Sequence, residues 1–515
     1  MNKEQFIEHI QPGYQFKSAA LELGAGMFEG AVVPEVRVSL PLKMMNRHGL
    51  IAGATGTGKT KSLQVLAEQL SEQGVSCMLL DIKGDLSGIA MPGTSNAKIE
   101  ERHQLLGLPW KANDHFVELL TISNQEGTRL RATVSEFGPV LFSKILGLND
   151  TQEGVLSMIF KFCDDNGLLL LDLNDLKKVI QFISEDGKDA IEKEFGSFSS
   201  VSSGTILRKV IELEQQGADV FFGERSFEVE DLIRTDAKGR GVISILRATD
   251  IQDKPKFFST FMLQMLAELY SKFPEVGDLE KPKLMFFLDE AHLLFEEATP
   301  ALLNQLETVI KLIRSKGIGL IFITQNPIDI PETVLAQLGL KIQHALRAFT
   351  AKDRKAIKMA AENYPETECY EVSQKITELG IGEAFVTGLN EKGIPTPLVQ
   401  VMMRAPESRM DILTDAEITQ LVSRSEIARY YNEEINRESA EEILQKKYEE
   451  RDAMNEEQET DGPPVRKGKS TLEKVFDSTV TRQVGRTVAR ELTRGLLGMF
   501  GIKTTTTRRR KTSWF

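Results

Sequence analysis

The stretch Gly49–Gln64, GLIAGATGTGKTKSLQ, decides the fold class of this chain. Its centre has the spacing Gly-x-x-x-x-Gly-Lys-Thr, with Gly53 and Gly58 where a loop must turn its backbone amides inward. An apolar run precedes this loop, and a segment with helical apolar spacing follows it and stops at Gly74. A strand, a glycine-rich turn and a helix in this order predict a phosphate-binding loop in an α/β fold.

The loop residues are the first candidate ligands of a nucleoside triphosphate such as ATP. Backbone amides of the loop would surround the phosphate oxygens, and the dipole of the following helix favours the same anion. Lys59 would reach the β- and γ-phosphates, and the Thr60 hydroxyl would help to hold Mg²⁺. The predicted nucleotide ligands of the loop are Gly53, Thr55, Gly56, Thr57, Gly58, Lys59 and Thr60.

Polar side chains also follow two later apolar strands. In LMFFLDEAH, Asp289 and Glu290 come directly after the predicted strand; Asp289 is the candidate metal ligand and Glu290 the candidate general base. The next strand, GIGLIFITQ, ends in Gln325. If the two strands are neighbours, Gln325 would lie beside the carboxylates and contact the γ-phosphate or the attacking water.

Two arginines are candidates for the positive charge that phosphoryl transfer uses in its transition state. Arg314 ends the helix predicted between the two strands, in VIKLIRSKGIG, and Arg347 lies on the strand predicted at LKIQHALRAF. Either could serve its own subunit or a neighbour. The alternative for both is an ordinary surface arginine.

The pattern along the chain predicts a mostly parallel sheet with helices on both faces and an inserted helical region. From residue 98 strand signals become rare, and they return at GVISILRA, Gly241–Ala248. The predicted segments are a short β-rich N-terminal part (1–48), the first part of the core (49–97), a largely helical insertion (98–236), the second part of the core (237–406), a charged helical region (407–460), and a linker with a basic amphipathic helix (461–515).

The charge of the chain is unevenly distributed. The net charge is −12, but residues 466–515 carry 13 Lys or Arg against 3 Asp or Glu, which leaves 50 against 72 in the rest. An acidic body is not typical of a general nucleic-acid coat, so any polyanion would bind in a tail or a channel. In the tail, apolar residues recur every four positions from Leu472 to Phe500, alongside four arginines. This pattern suits a subunit or DNA contact, a membrane surface or an unstructured tail.

The cysteines and apolar runs predict a cytoplasmic protein without integral membrane association. Cys77, Cys163 and Cys369 are widely separated, and the six histidines lack metal-binding spacing, so we expect reduced thiols and no zinc site. No uninterrupted apolar run approaches the roughly 18 residues that a membrane helix needs.

Five ordered motifs resemble one family. NRHGLIAGATGTGKT, LLDIKGDLSG, LDEAHLLF, IRSKGIGLIFITQNP and GEAFVTGLNEKGIPTPLVQV resemble the HerA-like ATPases of the FtsK–HerA superfamily, in particular the bacterial branch described by a helicase HerA-like C-terminal domain. The resemblance spans about residues 46–415. It implies a RecA-like P-loop NTPase core that uses ATP and Mg²⁺, works as a hexameric ring and has Arg314 at the finger position.

The resemblance further implies a motor ATPase that acts on DNA as a translocase or helicase. An oligomeric ATPase that drives protein assembly without a nucleic-acid track is the alternative. The short segment before the loop differs from the N-terminal β-barrel of archaeal members and argues against the nuclease docking associated with that barrel.

The letters DEAH at Asp289–His292 also name two-lobed RNA helicases, but no second lobe is recognisable here. A small-molecule kinase would need a lid pattern, and none is recognisable either. The motifs identify no dedicated protein partner.

Overall fold

The structure is a computed structural model that describes residues 1–459 apart from 197–198, 278, 297–299, 349 and 436. The chain divides into two units. The first consists of Met1–Leu130 and Phe227–Glu433, and the second of Arg131–Ser226 together with the described residues from Glu434 to Glu459. The linker and basic helix predicted at 461–515 lie outside the described residues.

The first unit contains the sheet. Its strands are β1 (Ala20–Phe28), β2 (Ala31–Pro41), β3 (Gly49–Ala52), β4 (Ser76–Asp81), β5 (Val117–Thr121), β6 (Thr128–Arg129), β7 (Ile243–Arg247), β8 (Leu284–Leu288), β9 (Ile318–Thr324), β10 (Leu340–Gln343), β11 (Glu383–Thr387) and β12 (Val399–Met403). Across the sheet they are ordered β2-β1-β12-β11-β10-β3-β9-β8-β4-β7-β5-β6.

Most of the sheet is parallel. Every neighbouring pair from β10 to β6 is parallel, whereas β2, β1, β12, β11 and β10 pair antiparallel. The predicted α/β class with a mostly parallel sheet is confirmed. The β-rich N-terminal segment supplies β1 and β2, which join the sheet through β12.

Helices follow most strands of the parallel part. The helices of the described residues are α1 (Lys3–Ile10), α2 (Lys59–Glu72), α3 (Ala97–Leu106), α4 (Val134–Leu146), α5 (Asp150–Asn166), α6 (Leu173–Ser184), α7 (Lys188–Phe195), α8 (Ser200–Gln215), α9 (Pro255–Lys272), α10 (Pro300–Ile313), α11 (Glu332–Leu335), α12 (Ala351–Glu362), α13 (Val372–Glu378), α14 (Asp415–Arg424), α15 (Glu426–Tyr431) and α16 (Ala440–Glu459). Within the described part of the chain, none of them combines the length and apolarity needed to cross a bilayer.

The centre of the sheet is buried along its whole length. All residues of β4, β8 and β9 are buried, which is typical of parallel strands covered on both faces. Helix α2 packs onto this sheet through Leu63, Leu66 and Leu70, which share one core with Ile51 and Leu79. Burial of these side chains holds the loop between β3 and α2 in a fixed position.

The second unit is helical. Its aromatic core includes Phe137, Phe142 and Phe222, with ring centroids of Phe137 and Phe222 5.0 Å apart. Helix α16 joins this unit at α6, where the Asp175 carboxylate accepts a hydrogen bond from Glu441 N. Only part of the insertion predicted at 98–236 belongs to this unit, namely Arg131–Ser226, because Val117–Thr121 pairs with β7 in the sheet of the first unit.

Candidate nucleotide-binding and hydrolysis site

Four loops meet at the carboxyl edge of the parallel strands. The phosphate loop follows β3, Gln325 follows β9, Asp289 follows β8, and Lys83 and Asp85 follow β4. These strands are consecutive parallel neighbours, so their ends lie side by side. The sequence prediction for Gln325 assumed that β8 and β9 are neighbours. The structure shows that they are.

The phosphate loop depends on glycine at its turning points. Gly53, Gly56 and Gly58 have φ values of 152°, 76° and 119°, a region that favours glycine over other residues. Inside the turn, Lys59 Nζ donates to the carbonyls of Gly53 (2.7 Å) and Ala54 (3.2 Å). The loop is thus closed around its own lysine.

Lys59 is buried, with 6% of its surface exposed. This burial, together with the nearby ammonium of Lys83, lowers the pKa of Lys59 below its ordinary value. The carboxylates of Asp289 and Glu290 act in the opposite direction. Lys59 therefore lies in a site where positive and negative charges are closely packed.

The carboxylate pair is also buried and is paired with one lysine. Asp289 and Glu290 are 4% and 6% exposed, and Lys83 Nζ contacts a carboxylate oxygen of Glu290 and lies 3.8 Å from Asp289 Oδ2. Burial raises the pKa of Asp289 to about 6, against the opposing effect of Lys83. Burial also acts to raise the pKa of Glu290, but the hydrogen bond and charge of Lys83 outweigh it and lower that pKa.

Glu290 has an unusual backbone. Its φ of 47° and ψ of 48° place it in the left-handed region, which costs about 1 kcal/mol or more for a residue other than glycine. The turn reverses the chain directly after β8, so that Asp289 and Glu290 both remain at the sheet edge. His292 Nδ1 lies 3.2 Å from Glu290 Oε2.

Gln325 lies between the carboxylate and the loop. Its Nε2 is 3.5 Å from Glu290 Oε1, and its Oε1 is 3.5 Å from Thr55 Oγ1. Both are long for hydrogen bonds, so the amide is near both groups without being held firmly by either. A small movement of Gln325 would bring its amide against a water or a phosphate oxygen at this position.

The Thr60 hydroxyl faces the Asp85 carboxylate. Thr60 Oγ1 donates to Asp85 Oδ2 at 3.3 Å, while Asp85 Oδ1 is buried without a hydrogen-bond partner. Across the described residues, no set of three or more His, Cys, Asp or Glu side chains forms a metal cluster by itself.

The two candidate arginines lie at opposite edges of the sheet. Arg314 follows α10 and precedes β9, so it lies near the start of a strand whose far end carries Gln325. Strand β10 ends at Gln343, which places Arg347 in the loop beyond it rather than on a strand, at the carboxyl edge. Its Nη1 donates to the Thr377 carbonyl at 2.7 Å.

Sequence reasoning assigned no role to Lys83, Asp85, Asp81 or His344. The first three lie in LLDIKGDLSG, where a buried strand ends in a carboxylate and a glycine turn follows. The Asp81 carboxylate accepts hydrogen bonds from the backbone amides of Gly84, Asp85 and Leu86, and burial raises its pKa to about 7. A strand that ends in a carboxylate and a glycine turn is visible in the sequence, and this pattern could have identified the loop after β4 as part of the site.

His344 supports the phosphate loop from behind. Its Nδ1 lies 2.8 Å from the Glu383 carbonyl, and its Nε2 lies 2.9 Å from Ser62 Oγ. Complete burial lowers its pKa to about 4. A neutral ring would donate from Nδ1 and accept at Nε2, which matches both partners.

Comparison with known proteins gives this site a family. Residues 29–505 match the family described as Helicase HerA-like C-terminal. The DNA double-strand break repair helicase HerA of Sulfolobus acidocaldarius is 24% identical over 363 residues, or 70% of this chain and 66% of that protein. The protein of the same description from Sulfurisphaera tokodaii is 22% identical over 356 residues, or 69% and 65%. The match spans slightly less than two thirds of these relatives' length.

Among solved structures, the unbound monoclinic form of the bacterial conjugative coupling protein TrwBΔN70 resembles this chain with a TM-score of 0.50 at 15% identity. The match covers 78% of this chain and 94% of that one, and it shows a shared fold. Since the matched family region contains every loop that meets at this edge of the sheet, the chain belongs to the helicase HerA-like C-terminal family.

Proposed function

We propose that this protein is a motor ATPase of the HerA and FtsK type, which hydrolyses ATP with Mg²⁺ and moves DNA as a translocase or helicase. The convergence of Lys59, Glu290 and Gln325 at one sheet edge carries the proposal. Two relatives described as DNA repair helicases support DNA as the substrate.

Phosphate binding falls to the loop and Lys59. The positive φ of Gly53, Gly56 and Gly58 allows successive amides to face one anion, and the N-terminus of α2 adds its dipole. Lys59 now donates to two loop carbonyls. A triphosphate would offer its ammonium stronger, charged acceptors at the same depth.

Glu290 is the proposed general base. It would accept the proton of the attacking water, and Lys83 keeps this carboxylate ionised before the reaction by lowering its pKa. Gln325, which lies 3.5 Å from Glu290 Oε1, would orient the same water.

The residues present fit a magnesium ion. Thr60 Oγ1, Asp289 and the unpartnered Oδ1 of Asp85 supply oxygen donors, which are the ligands that Mg²⁺ prefers. When bound, the ion would neutralise charge on the β- and γ-phosphates. The ion would also stabilise the ionised form of Asp289, because this carboxylate is buried and shares the Lys83 ammonium with Glu290.

We infer a ring, with a hexamer as the expected form, and the position of Arg314 supports this inference. The seven residues of β9 separate Arg314 from Gln325, roughly 20 Å along the strand, so Arg314 cannot reach the site of its own subunit. We infer that it completes the site of a neighbour, and that Arg347, at the carboxyl edge, contacts the nucleotide.

We also infer a cytoplasmic location, in keeping with the free thiols of Cys77, Cys163 and Cys369.

The second candidate function is an oligomeric ATPase that remodels proteins. The excess of 72 acidic over 50 basic residues before residue 466 favours it, because phosphate backbones bind basic surfaces.

DNA dependence of turnover tests the proposal. We expect ATP hydrolysis by the full chain that rises with single- or double-stranded DNA at low salt and disappears in Lys59→Ala. Turnover without any DNA stimulation would favour the second function. Wild-type turnover in Lys59→Ala would refute the site itself.

A further inference from the structure

The ring of His292 lies beside the proposed general base, but the proposed function does not use it. His292 is the last residue of the DEAH sequence. Its Nδ1 is 3.2 Å from Glu290 Oε2. The His292 side chain is partly exposed, whereas Glu290 is buried. The ring therefore contacts the base from the side nearer the solvent.

The turn after β8 brings the two side chains together. Glu290 has the left-handed backbone, and the short turn Ala291–Leu294 begins directly after it. The His292 carbonyl accepts hydrogen bonds from Phe295 N and Glu296 N, both at 2.9 Å. Because backbone groups make these bonds, the turn does not depend on the imidazole ring. A substitution of the ring would therefore test its contact with Glu290 rather than the turn.

The two carboxylate oxygens of Glu290 have different surroundings. Oε1 contacts Lys83 Nζ and lies 3.5 Å from Gln325 Nε2, the amide that would orient the attacking water. Oε2 is buried, and within the described part of the chain it has no hydrogen-bond partner. His292 Nδ1 lies within hydrogen-bonding distance of this oxygen, but the two atoms are not aligned for a hydrogen bond.

A small rotation of the His292 ring would complete this contact. A buried carboxylate oxygen without a donor is costly, because it has lost its water and gained nothing in return. Both the charged ring and the neutral ring with its hydrogen on Nδ1 can donate. Hydrogen bonds between catalytic groups are often long or poorly aligned before the substrate binds, and they tighten afterwards.

The phosphate side of the site is held by the neighbouring strands. Gly382 N, directly before β11, donates to the Thr57 carbonyl at 3.0 Å. Ala54 N donates to the carbonyl of Ala345, which follows β10, at 2.8 Å. A phosphate bound by this loop would therefore have a defined position, and the geometry of attack would depend on how firmly the base is held.

A carboxylate that is held at one oxygen is not fixed in orientation. The last torsion of a glutamate side chain is broad, so Oε1 could turn away from the water while it stays in contact with Lys83. A donor on Oε2 as well would fix the plane of the carboxylate. Misplacement of a reacting group by about 1 Å can lower a rate by about a hundredfold.

We propose that His292 is a positioning residue for ATP hydrolysis: its Nδ1–H holds Oε2 of Glu290, so that Oε1 faces the attacking water beside Gln325. The inference rests on the proposed function, because Glu290 must be the general base. It requires neither contact of His292 with the nucleotide nor a change in its protonation.

Substitutions of His292 in the full chain test the proposal. Asn places an amide N–H close to the position of Nδ1, whereas Leu has no donor. We expect His292→Leu to lower kcat by about tenfold or more, with the affinity for a non-hydrolysable ATP analogue, measured by calorimetry, within about threefold of wild type. His292→Asn should keep at least about a third of the wild-type kcat. His9→Leu, at an exposed position of α1, is the matched control and should change neither quantity.

A double variant separates positioning of the base from any other role of the ring. In a chain that carries Glu290→Gln there is no base to orient, so adding His292→Leu should change the single-turnover rate by less than about twofold. Losses that multiply would overturn the proposal, and so would a wild-type kcat in His292→Leu. If urea unfolding shows His292→Leu to be destabilised, His292→Gln replaces it, because its longer side chain carries the amide past the position of Nδ1.

Failure of the proposed function would look different. Glu290→Gln would then hydrolyse ATP at the wild-type rate, whichever residue is at position 292. An inactive Glu290→Gln together with a fully active His292→Leu would refute the role of His292 alone.

Discussion

Gly53 and Gly56 lie three positions apart in the same loop, but only Gly53 is enclosed. A Cβ on Gly53 would lie 2.6 Å from the Cβ of His344, whereas a Cβ on Gly56 would meet nothing within 4 Å. Gly53 is therefore required because a side chain would not fit and because its φ favours glycine. Gly56 is required only because of its φ.

Replacing these glycines should separate the two requirements. We expect Gly53→Ala to destabilise the fold by about 3 kcal/mol, since it adds a clash with the Cβ of His344 to the strained φ. Gly56→Ala should cost about 1 kcal/mol. Urea unfolding of both variants beside the wild type measures the difference, and equal losses would show that His344 does not confine the loop.

At Glu290, removal of the charge should stop hydrolysis without stopping binding. We expect Glu290→Gln to lower kcat by about 10²-fold or more while the affinity for ATP stays within a few-fold, because the amide cannot take the proton of water. Glu296→Gln, an exposed neighbour, is the matched control. Steady-state kinetics and binding together check this, and an unchanged kcat would exclude Glu290 as the base.

At the scale of elements, the loop after β4 controls the charge state of the site. Lys83 lowers the pKa of Glu290, so Lys83→Met should raise that pKa. The base must be ionised, so we expect the acid limb of the pH–rate profile to move to higher pH by about one unit. Lys311→Met, exposed on α10, should leave the profile in place. An unmoved limb in Lys83→Met would show that Glu290 does not set it.

His48 joins three elements at the opposite edge of the sheet. Its Nε2 lies 2.9 Å from the Ile310 carbonyl of α10, and its Nδ1 accepts from Leu320 N of β9 at 3.0 Å. Burial lowers its pKa from 6.5 to about 4. The neutral ring thus positions the end of α10 that precedes Arg314.

This buried histidine predicts a loss of stability in acid. Because the folded pKa lies below the unfolded one, the contribution of His48 is complete above pH 6.5 and is lost as the pH falls toward 4, by up to about 3 kcal/mol. In His48→Asn, which removes the titrating ring, urea unfolding between pH 7.5 and 4.5 should show a shallower fall of stability with falling pH. Parallel curves for the two proteins would refute the assignment.

The sequence predicted the parallel half of this sheet better than the other half. Continuous apolar runs such as those of β4, β8 and β9 mark buried parallel strands, and their polar ends identified Asp289 and Gln325. Pairing between distant segments leaves no local pattern. The joining of β1 to β12 and the contact of Gly382 with the loop therefore emerged only in three dimensions.

At the scale of the whole molecule, a shared site predicts complementation between two inactive variants. Arg314→Ala and Glu290→Gln should each lack activity alone. In mixed oligomers, an intact arginine of one subunit would meet an intact glutamate of the next at about a quarter of the interfaces. We expect ATPase activity to return on mixing and co-refolding. Mixed oligomers that stay inactive would place Arg314 outside the neighbour's site.

The hydrogen bond from Gly382 to Thr57 also has a mechanical consequence. It ties the phosphate loop to β11, and β11 is connected through β12 and β1 to the edge strand β2, with two register shifts between β1 and β2. The antiparallel half of the sheet is thus one hydrogen-bonded element whose inner end contacts the phosphate loop. A displacement of the loop on binding a phosphate would be transmitted to the edge strand Ala31–Pro41. A spectroscopic probe attached to this strand would then report the displacement in each ATPase cycle.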